Sequence, residues 1–558
     1  MLLGPKNCFQ ATVNAPEKQV NRRDFLRISA AAAGSALMAG VLSIPAAFSA
    51  PSSDRPNIVL IMCDDMGYSD LGCYGGEIKT PVLDGLAANG LRFTQFYNAA
   101  RCVPTRASLM TGLYPHQAGL GHMVSDRGHE GYRGRLNDRC VTIAEVLKQA
   151  DYQTFMSGKW HVTPYNYANP EPTLDRNTWP LQRGFDKFFG TIAGAGSFYT
   201  PVSLMRDNQF IEPGEDFYYT DAINDHAADY IHRADKNRPL FLYVAHTAPH
   251  WPLHAPEEDI ARYAETYTVG WDAIRQARYE RMVEMGIIHS DWPLTERDRR
   301  VPPWDQAEHK DWQARRMAVH AAMVDVMDRG IGRIVEALKE TGRFDNTLIL
   351  FLSDNGASNE VIRGRNTRHG HFARGGTRPA VMPGPPDTYA AFGVPWANAS
   401  NTPFRLYKKW IHEGGIATPL IVHWPAGITA QNELSHEVGH VVDIMATCVE
   451  VSGATYPSER NDVAVPPSEG VSLVPAFDGK TLERRAIFFE HQGNRAVRFG
   501  RWKLVGEHRR PWELYDMQAD RTEMSNVIDQ HPDMAAAMEA MYDQWAKRTN
   551  VLPWPVRG

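Results

Sequence analysis

Cysteine is scarce, with six thiols in 558 residues. That excludes a small scaffold held together by disulfides. No Cys-x-x-Cys pair and no Cys/His spacing of a zinc site occurs, so a structural zinc module is excluded too. A basic excess is also lacking: the formal charge is −6, and no global positive field points to nucleic acid. After residue 53 no further long uncharged run follows, so that part of the chain does not read as a membrane span. No internal repeat is present. What remains is the ordinary balance of a globular chain, 43% hydrophobic and 22% charged, long enough for several domains or one very large one.

The first 49 residues read as a leader. The basic residues Lys6, Lys18, Arg22, Arg23 and Arg27 precede an uncharged stretch, Ile28 to Ser53, rich in Ala, Gly, Leu and Ser. Small residues near Ala47-Phe48-Ser49 suit a cleavage site. The run Asn21-Arg22-Arg23-Asp24-Phe25-Leu26-Arg27 resembles a twin-arginine signal, an address read by export machinery. The expectation is an exported protein, periplasmic or secreted, with no membrane span once the leader is removed. Five cysteines then remain (Cys63, Cys73, Cys102, Cys140 and Cys448), and an odd count in an oxidising compartment leaves one thiol to explain.

Five short apolar runs read as buried strands: Asn57–Met62, Tyr152–Met156, Leu240–Ala245, Thr347–Leu352 and Leu420–Trp424. Uniformly apolar strands with helical segments between them predict a mostly parallel sheet covered by helices on both faces. Thr142 and Glu145 form a capping box opening one such helix. Four of the strands run into chemistry. The first meets Asp64-Asp65, the second Lys159 and His161, the third His246 and His250, the fourth Asp354-Asn355. In open α/β sheets ligands bind beyond the carboxyl ends of the strands, so these groups are expected at one edge. Asp64, Asp65, Asp354 and Asn355 offer only oxygen ligands, which suits Ca²⁺, with Mg²⁺ as second choice, rather than zinc.

The segment Arg101-Cys102-Val103-Pro104-Thr105-Arg106-Ala107-Ser108-Leu109-Met110-Thr111-Gly112 reads as a turn opening a helix, with Pro104 at its first position and Arg106 in its first turn. Orphan N–H groups at such an end favour anions. In full the segment resembles the signature of the type I sulfatases, and the resemblance extends from Arg55-Pro56-Asn57 to Arg501-Trp502-Lys503-Leu504. It implies an alkaline-phosphatase-like fold and an arylsulfatase-type sulfuric ester hydrolase. It also implies that a formylglycine-generating enzyme oxidises Cys102 to formylglycine (3-oxoalanine), whose hydrate is the nucleophile and also a metal ligand. Thr105 stands where many members have Ser. Gly158-Lys159-Trp160-His161 resembles the family's Gly-Lys-x-His element, and Ala248-Pro249-His250 its Ala-Pro-His element. Counting back from Glu413-Gly414-Gly415, the second active-site lysine is Lys408, with Lys409 as the fallback. The resemblance gives Arg106 the orienting of the hydrate, Lys159 and Lys408 the sulfate oxygens, and His250 substrate contact and protonation of the leaving group. It implies that Asp354 acts as base as well as ligand and that His161 takes the second proton. The substrate it implies is a small-molecule or glycan sulfate ester. Two other readings stay open: a phosphodiesterase or phosphonate monoester hydrolase of the same superfamily, and an inactive binder of sulfated glycans with Cys102 unoxidised. The former tend to carry a histidine where this chain has Asn355.

His116, His122 and His246 are expected to be supporting residues, and His423-Trp424 part of a core strand. The aromatic stretch Phe392–Trp410 suits a pocket wall or ordinary packing. The catalytic region is expected over about 55–440, with a mostly helical insertion at about 255–315 and a long loop near the site at about 361–400. A connecting segment, 441–484, leads to a smaller C-terminal α+β subdomain, 485–558, built on an antiparallel sheet. With Cys102 converted, Cys63, Cys73, Cys140 and Cys448 form an even set able to pair in three ways.

Overall fold

Strands that are apolar on both faces have to be covered on both faces, and the computed structural model shows how. It describes residues 55–166, 176–364 and 372–557; the expected export signal lies outside them. In chain order the strands are β1 (Asn57–Cys63), β2 (Leu91–Tyr97), β3 (Gln153–Lys159), β4 (Lys187–Thr191), β5 (Leu204–Arg206), β6 (Gln209–Phe210), β7 (Leu240–Ala245), β8 (Thr347–Ser353), β9 (Arg374–Gly375), β10 (Thr388–Tyr389), β11 (Ala417–His423) and β12 (Glu433–His440). All but β9 and β10 form one ten-stranded sheet in the order β12-β2-β11-β8-β1-β7-β3-β4-β5-β6. Its centre, β8-β1-β7-β3-β4, is parallel. β11 runs antiparallel between β8 and β2, and β12 returns parallel to β2.

The period of two along β1 divides the core. Val59 and Ile61 pack under the helices Tyr219–Arg233 and Lys310–Glu340. Ile58, Leu60 and Met62 pack under Cys102–Thr111, Ile143–Gln149 and Asp443–Ser452. The capping box forms as the sequence implies: Glu145 N donates to Thr142 Oγ1 at 3.1 Å, and Thr142 N donates to Glu145 Oε2 at 2.8 Å. Thr142→Ala removes one arm, and a loss of about 1 kcal/mol in unfolding free energy is expected by urea titration; no change in the midpoint would contradict it.

Residues 255–315 are helical only in part. They hold Glu257–Ala261 and Gly270–Glu284, then an irregular stretch up to the long helix at Lys310. The stretch 361–400 carries the short β9–β10 pairing and ends as a helix, Gly393–Ser400; residues 365–371 fall outside the description. Its aromatic end serves packing. Trp396 is buried against Trp271 and Trp304, Phe392 stacks on His320, and Phe404 meets Tyr68. Residues 441–484 hold the helix Asp443–Ser452 and the pair β13 (Glu459–Arg460) and β14 (Val463–Ala464), and Ile444, Met445 and Leu473 are core residues. An antiparallel sheet follows, of β15 (Ile487–His491), β16 (Asn494–Phe499), β17 (Trp502–Gly506) and β18 (Glu513–Asp516). The helix Pro532–Arg548 covers it through Met538, Tyr542 and Trp545.

None of the three pairings open to the four cysteines is made. All five described cysteines are buried free thiols. Cys63 and Cys73 belong to one face's core and Cys140 and Cys448 to the other; each is packed as a small apolar side chain. Burial pushes the Cys448 thiol up to about 12. Among the described residues no helix is long and apolar enough to cross a membrane.

Candidate active site

Each parallel strand hands its next residues to the same sheet edge. β1 delivers Asp64 and Asp65, β8 delivers Asp354 and Asn355, β3 ends on Lys159 with His161 two residues on, and the turn after β7 carries His250. β11 is antiparallel, so its beginning lies at that edge, and the turn before it brings Lys408. All of the sequence-expected site residues therefore converge, and all are buried, with His161 the most exposed at 6%. A Cβ on Gly158 would come 2.0 Å from Ala245 O. Only glycine lets β3 approach β7 that closely immediately before Lys159.

Cys102 opens the helix Cys102–Thr111, every residue of which is buried. This corrects the expected start: the helix begins two residues before Pro104. Proline fits because a first-turn N–H has no partner within the helix. Arg106, one turn in, points across the site. Its Nη2 donates to Asp354 Oδ2 at 2.8 Å, its Nε to the same oxygen at 3.1 Å, and its Nη1 to Lys159 O at 2.8 Å.

The carboxylates are crowded. Asp65 N donates to Asp354 Oδ1 at 3.3 Å, and Asn355 Nδ2 donates to Asp65 Oδ1 at 2.7 Å. Asp65 adopts φ 66°, a left-handed conformation that aspartate tolerates better than most residues. Lys159 Nζ pairs with Asp64 Oδ2. Lys408 Nζ lies 2.7 Å from Asp65 Oδ1, and His250 Nε2 lies 3.5 Å from Asp65 Oδ2. Lys409, the fallback lysine, turns instead to Glu360 at 2.7 Å.

Charge balance decides the protonation states. Burial opposes ionisation of Asp64, but Lys159, His250, Arg106 and Lys408 outweigh it and hold this carboxyl below the usual carboxylate range. Asp354 goes the other way: burial, and then the Asp64 charge, raise it. Burial also lowers His161, with Lys159 and Arg106 adding to the effect, and it raises the Cys102 thiol.

Asp64, Asp65 and His250 bring donor atoms within 4.8 Å of one another. Asp64 Oδ1 and Asn355 Oδ1 are buried with no hydrogen-bond partner among the described residues. Buried orphan oxygens of this kind, beside a carboxyl that burial and a like charge disfavour, are what a hard cation satisfies. The donor set therefore fits a divalent ion held by oxygens.

Three groups near the site carried no legible signal. Glu360, a lone acid six residues past Asp354, accepts from Trp251 Nε1 at 2.7 Å and faces Arg101, Lys408 and Lys409. The Tyr243 hydroxyl is buried in the field of Arg106. His491, in the C-terminal sheet, is buried beside Arg101 and Lys409. The supporting histidines divide: His116 bonds Glu490 at 2.9 Å, His122 meets Gln492 at 2.9 Å, and neither ring nitrogen of His246 has a hydrogen-bond partner among the described residues.

A mostly parallel sheet with a carboxylate cluster, fixed cations and a helix-opening cysteine at one edge defines a hydrolase of the alkaline-phosphatase-like fold. A family model described as Sulfatase matches residues 56–454, and one described as N-sulphoglucosamine sulphohydrolase, C-terminal, matches 404–550. The chain is 35% identical to the arylsulfatase of Klebsiella aerogenes over 78% of its own length and 95% of that protein. It is 32% identical to an uncharacterized sulfatase of Schizosaccharomyces pombe, over 90% of this chain and 95% of the other. Among solved structures, Ps i-CgsB in complex with k-i-k-neocarrahexaose superposes with a TM-score of 0.63 at 25% identity, covering 88% of this chain and 93% of that one. The chain belongs to the sulfatase family, and its site is that of an enzyme cleaving sulfate esters.

Proposed function

We propose that the protein is a calcium-dependent, formylglycine-type sulfatase acting on the sulfate monoester of an aryl or carbohydrate alcohol outside the cytoplasm. The observation that carries this reading is the setting of Cys102: a buried, helix-opening cysteine whose thiol lies within the fields of two buried lysines, Lys159 and Lys408, and of the buried carboxylates Asp64 and Asp354. Asp64, Asp65, Asp354 and Asn355 would hold Ca²⁺, which when bound supplies Lewis-acid charge against the sulfate oxygens. An oxidised Cys102 supplies a hydrated aldehyde, with one hydroxyl to displace the alcohol from sulfur and a second to release sulfate.

The chain's own residues do the rest. Lys159 and Lys408 offer fixed cations to an anionic sulfuryl group as charge develops, the kind of electrostatic term that dominates in such sites. Arg106 locks Asp354 in place through Nε and Nη2. The His250 ring is oriented by a contact of 2.5 Å between its Nδ1 and Trp251 O. Nδ1 must donate in that contact, which leaves Nε2 facing the cluster and Asp65. Only the doubly protonated ring, its charge opposed by burial but favoured by Asp65, carries an Nε2 proton to pass to the leaving oxygen. His161 is held neutral by burial and by the neighbouring cations, the state from which it would accept one. A carbohydrate leaving group is supported by the neocarrahexaose complex of the solved relative. Export rests on the leader's pattern alone.

The test is a paired assay of the mature protein on an aryl sulfate and an aryl phosphodiester, before and after chelation. The sulfate is expected to be the better substrate in kcat/KM. EGTA is expected to abolish turnover and lower the melting temperature, with Ca²⁺ restoring both better than Mg²⁺ does. A higher kcat/KM on the diester, or full activity after exhaustive chelation, would sink the reading.

A further inference from the structure

Among the described residues, the cations beside the sulfate pocket outnumber the acids that neutralise them. Arg101, the neighbour of Cys102, lies 3.7 Å from Glu360, and Lys409, the neighbour of Lys408, lies 2.7 Å from the same carboxylate. Glu360 is also 3.8 Å from Lys408. Asp65 neutralises Lys408, so Glu360 is left to face Arg101 and Lys409 together, and one positive charge is in excess.

The C-terminal sheet closes over this point. Asn494 Nδ2 donates to Lys409 O and to His491 O, each at 3.0 Å, pinning the β15–β16 turn to the lysine. His491 is fully buried, and both of its ring nitrogens lack a hydrogen-bond partner among the described residues. An unpaired buried imidazole is costly unless something takes its N–H. The His491 ring is stacked on His122 at 5.5 Å and 7°, so the two rings do not converge on a metal ion. Burial, and then the nearby Arg101 charge, hold His491 well below its ordinary value, so the ring is neutral and one of its nitrogens carries an N–H.

We propose that Arg101, Lys409 and His491 form a second anion subsite next to the sulfate pocket, taking a carboxylate or a second sulfate carried by the leaving alcohol. This rests on the sulfate-ester reading above and narrows it to substrates bearing two anionic groups. The two arms of the surplus charge and the unpaired ring donor suit either anion, because guanidinium, ammonium and imidazole N–H all bond planar or tetrahedral oxyanions.

The test compares kcat/KM of the mature enzyme on phenyl sulfate, on carboxyphenyl sulfates and on a phenyl disulfate. Wild type is expected to favour one or both charged substrates over the neutral one by about tenfold or more, and the preferred arm names the anion. His491→Asn and Lys409→Gly, the latter suited to that residue's φ of 85°, are each expected to collapse that ratio. In parallel, calorimetry in saturating inorganic sulfate measures binding of hydroxybenzoate and hydroxybenzenesulfonate against phenol. At least one anion is expected to bind wild type more tightly than phenol and to lose that advantage in either variant. Wild type with no preference for charge, or variants that lose equally on all substrates, would overturn the subsite. If wild type hydrolyses none of the esters, the sulfatase reading fails, and the calorimetry still decides the subsite.

Discussion

Cys102→Ser is expected to retain the fold and lose steady turnover by about 10⁴-fold or more, the scale of removing a hydrolase nucleophile. The two side chains have nearly the same volume, and position 102 is only 2% exposed, so the helix should stay in place. The chemistry differs. A serine hydroxyl can take the sulfuryl group and release the alcohol, but it has no second hydroxyl from which to expel sulfate. The expected signature is therefore a single burst of at most one alcohol per protein, with a stable mass increase of one sulfuryl group on the peptide containing residue 102. Cys102→Ala should show neither burst nor adduct. Mass spectrometry of the wild-type peptide supplies the complementary readout, an aldehyde where the gene encodes a thiol. Steady turnover by the serine variant at the wild-type rate would end the formylglycine mechanism.

Lys503→Met is expected to lower the unfolding free energy by about 3–5 kcal/mol, the cost of stripping a buried charge cluster of one partner. Lys503 Nζ lies on β17, 2.8 Å from Glu413 Oε1 and 2.7 Å from Glu523 Oε1, with all three side chains fully buried. Arg521 Nε donates to Glu413 Oε2 at 2.9 Å, and Glu413 N donates to Glu523 Oε2 at 2.9 Å. Burial opposes the charge on Lys503, but the two glutamates override it and raise its pKa. Without Lys503, two desolvated carboxylates share one arginine. The exposed pair Lys480–Asp478, with side chains 69% and 55% accessible, is the control, and Lys480→Met should change stability by less than about 1 kcal/mol. Equal midpoints for the two variants in urea titration would refute the argument. The cluster also bears on activity, since Glu413 opens the turn into β11 five residues after Lys408. A loosened Lys503–Glu413 link should raise KM for the sulfate ester in the fraction that still folds.

Much of the sheet was legible because its central strands are apolar without interruption. β7 matches its expected run, and β1, β3, β8 and β11 are found within a few residues of theirs. β2 and β12 gave no such signal. β2 carries Arg92, which is buried only because its guanidinium donates to Cys73 O and Asn432 Oδ1, each at 2.8 Å; no local pattern announces partners so distant in sequence. The same asymmetry runs through the site. Asp64, Asp354, Lys159 and His250 follow parallel strands, so the rule that ligands gather at carboxyl ends reaches them. Lys408 precedes an antiparallel strand and was reached only through resemblance. Glu360 and His491 were out of reach, because their meaning comes from a shared neighbour, Arg101, and not from any spacing of their own.

Under the proposed oxidation of Cys102, the complete burial of Cys102–Thr111 sets a clock on that step. Any enzyme that oxidises Cys102 must hold it in its own active site, and the folded chain offers no such access. Cys102 lies more than 300 residues ahead of β11, the strand that completes the middle of the sheet between β2 and β8. At about 5–20 residues per second, synthesis of that intervening chain lasts from about a quarter of a minute to a minute. The segment is open for that interval and for the folding time that follows, after which an unconverted thiol is sealed in.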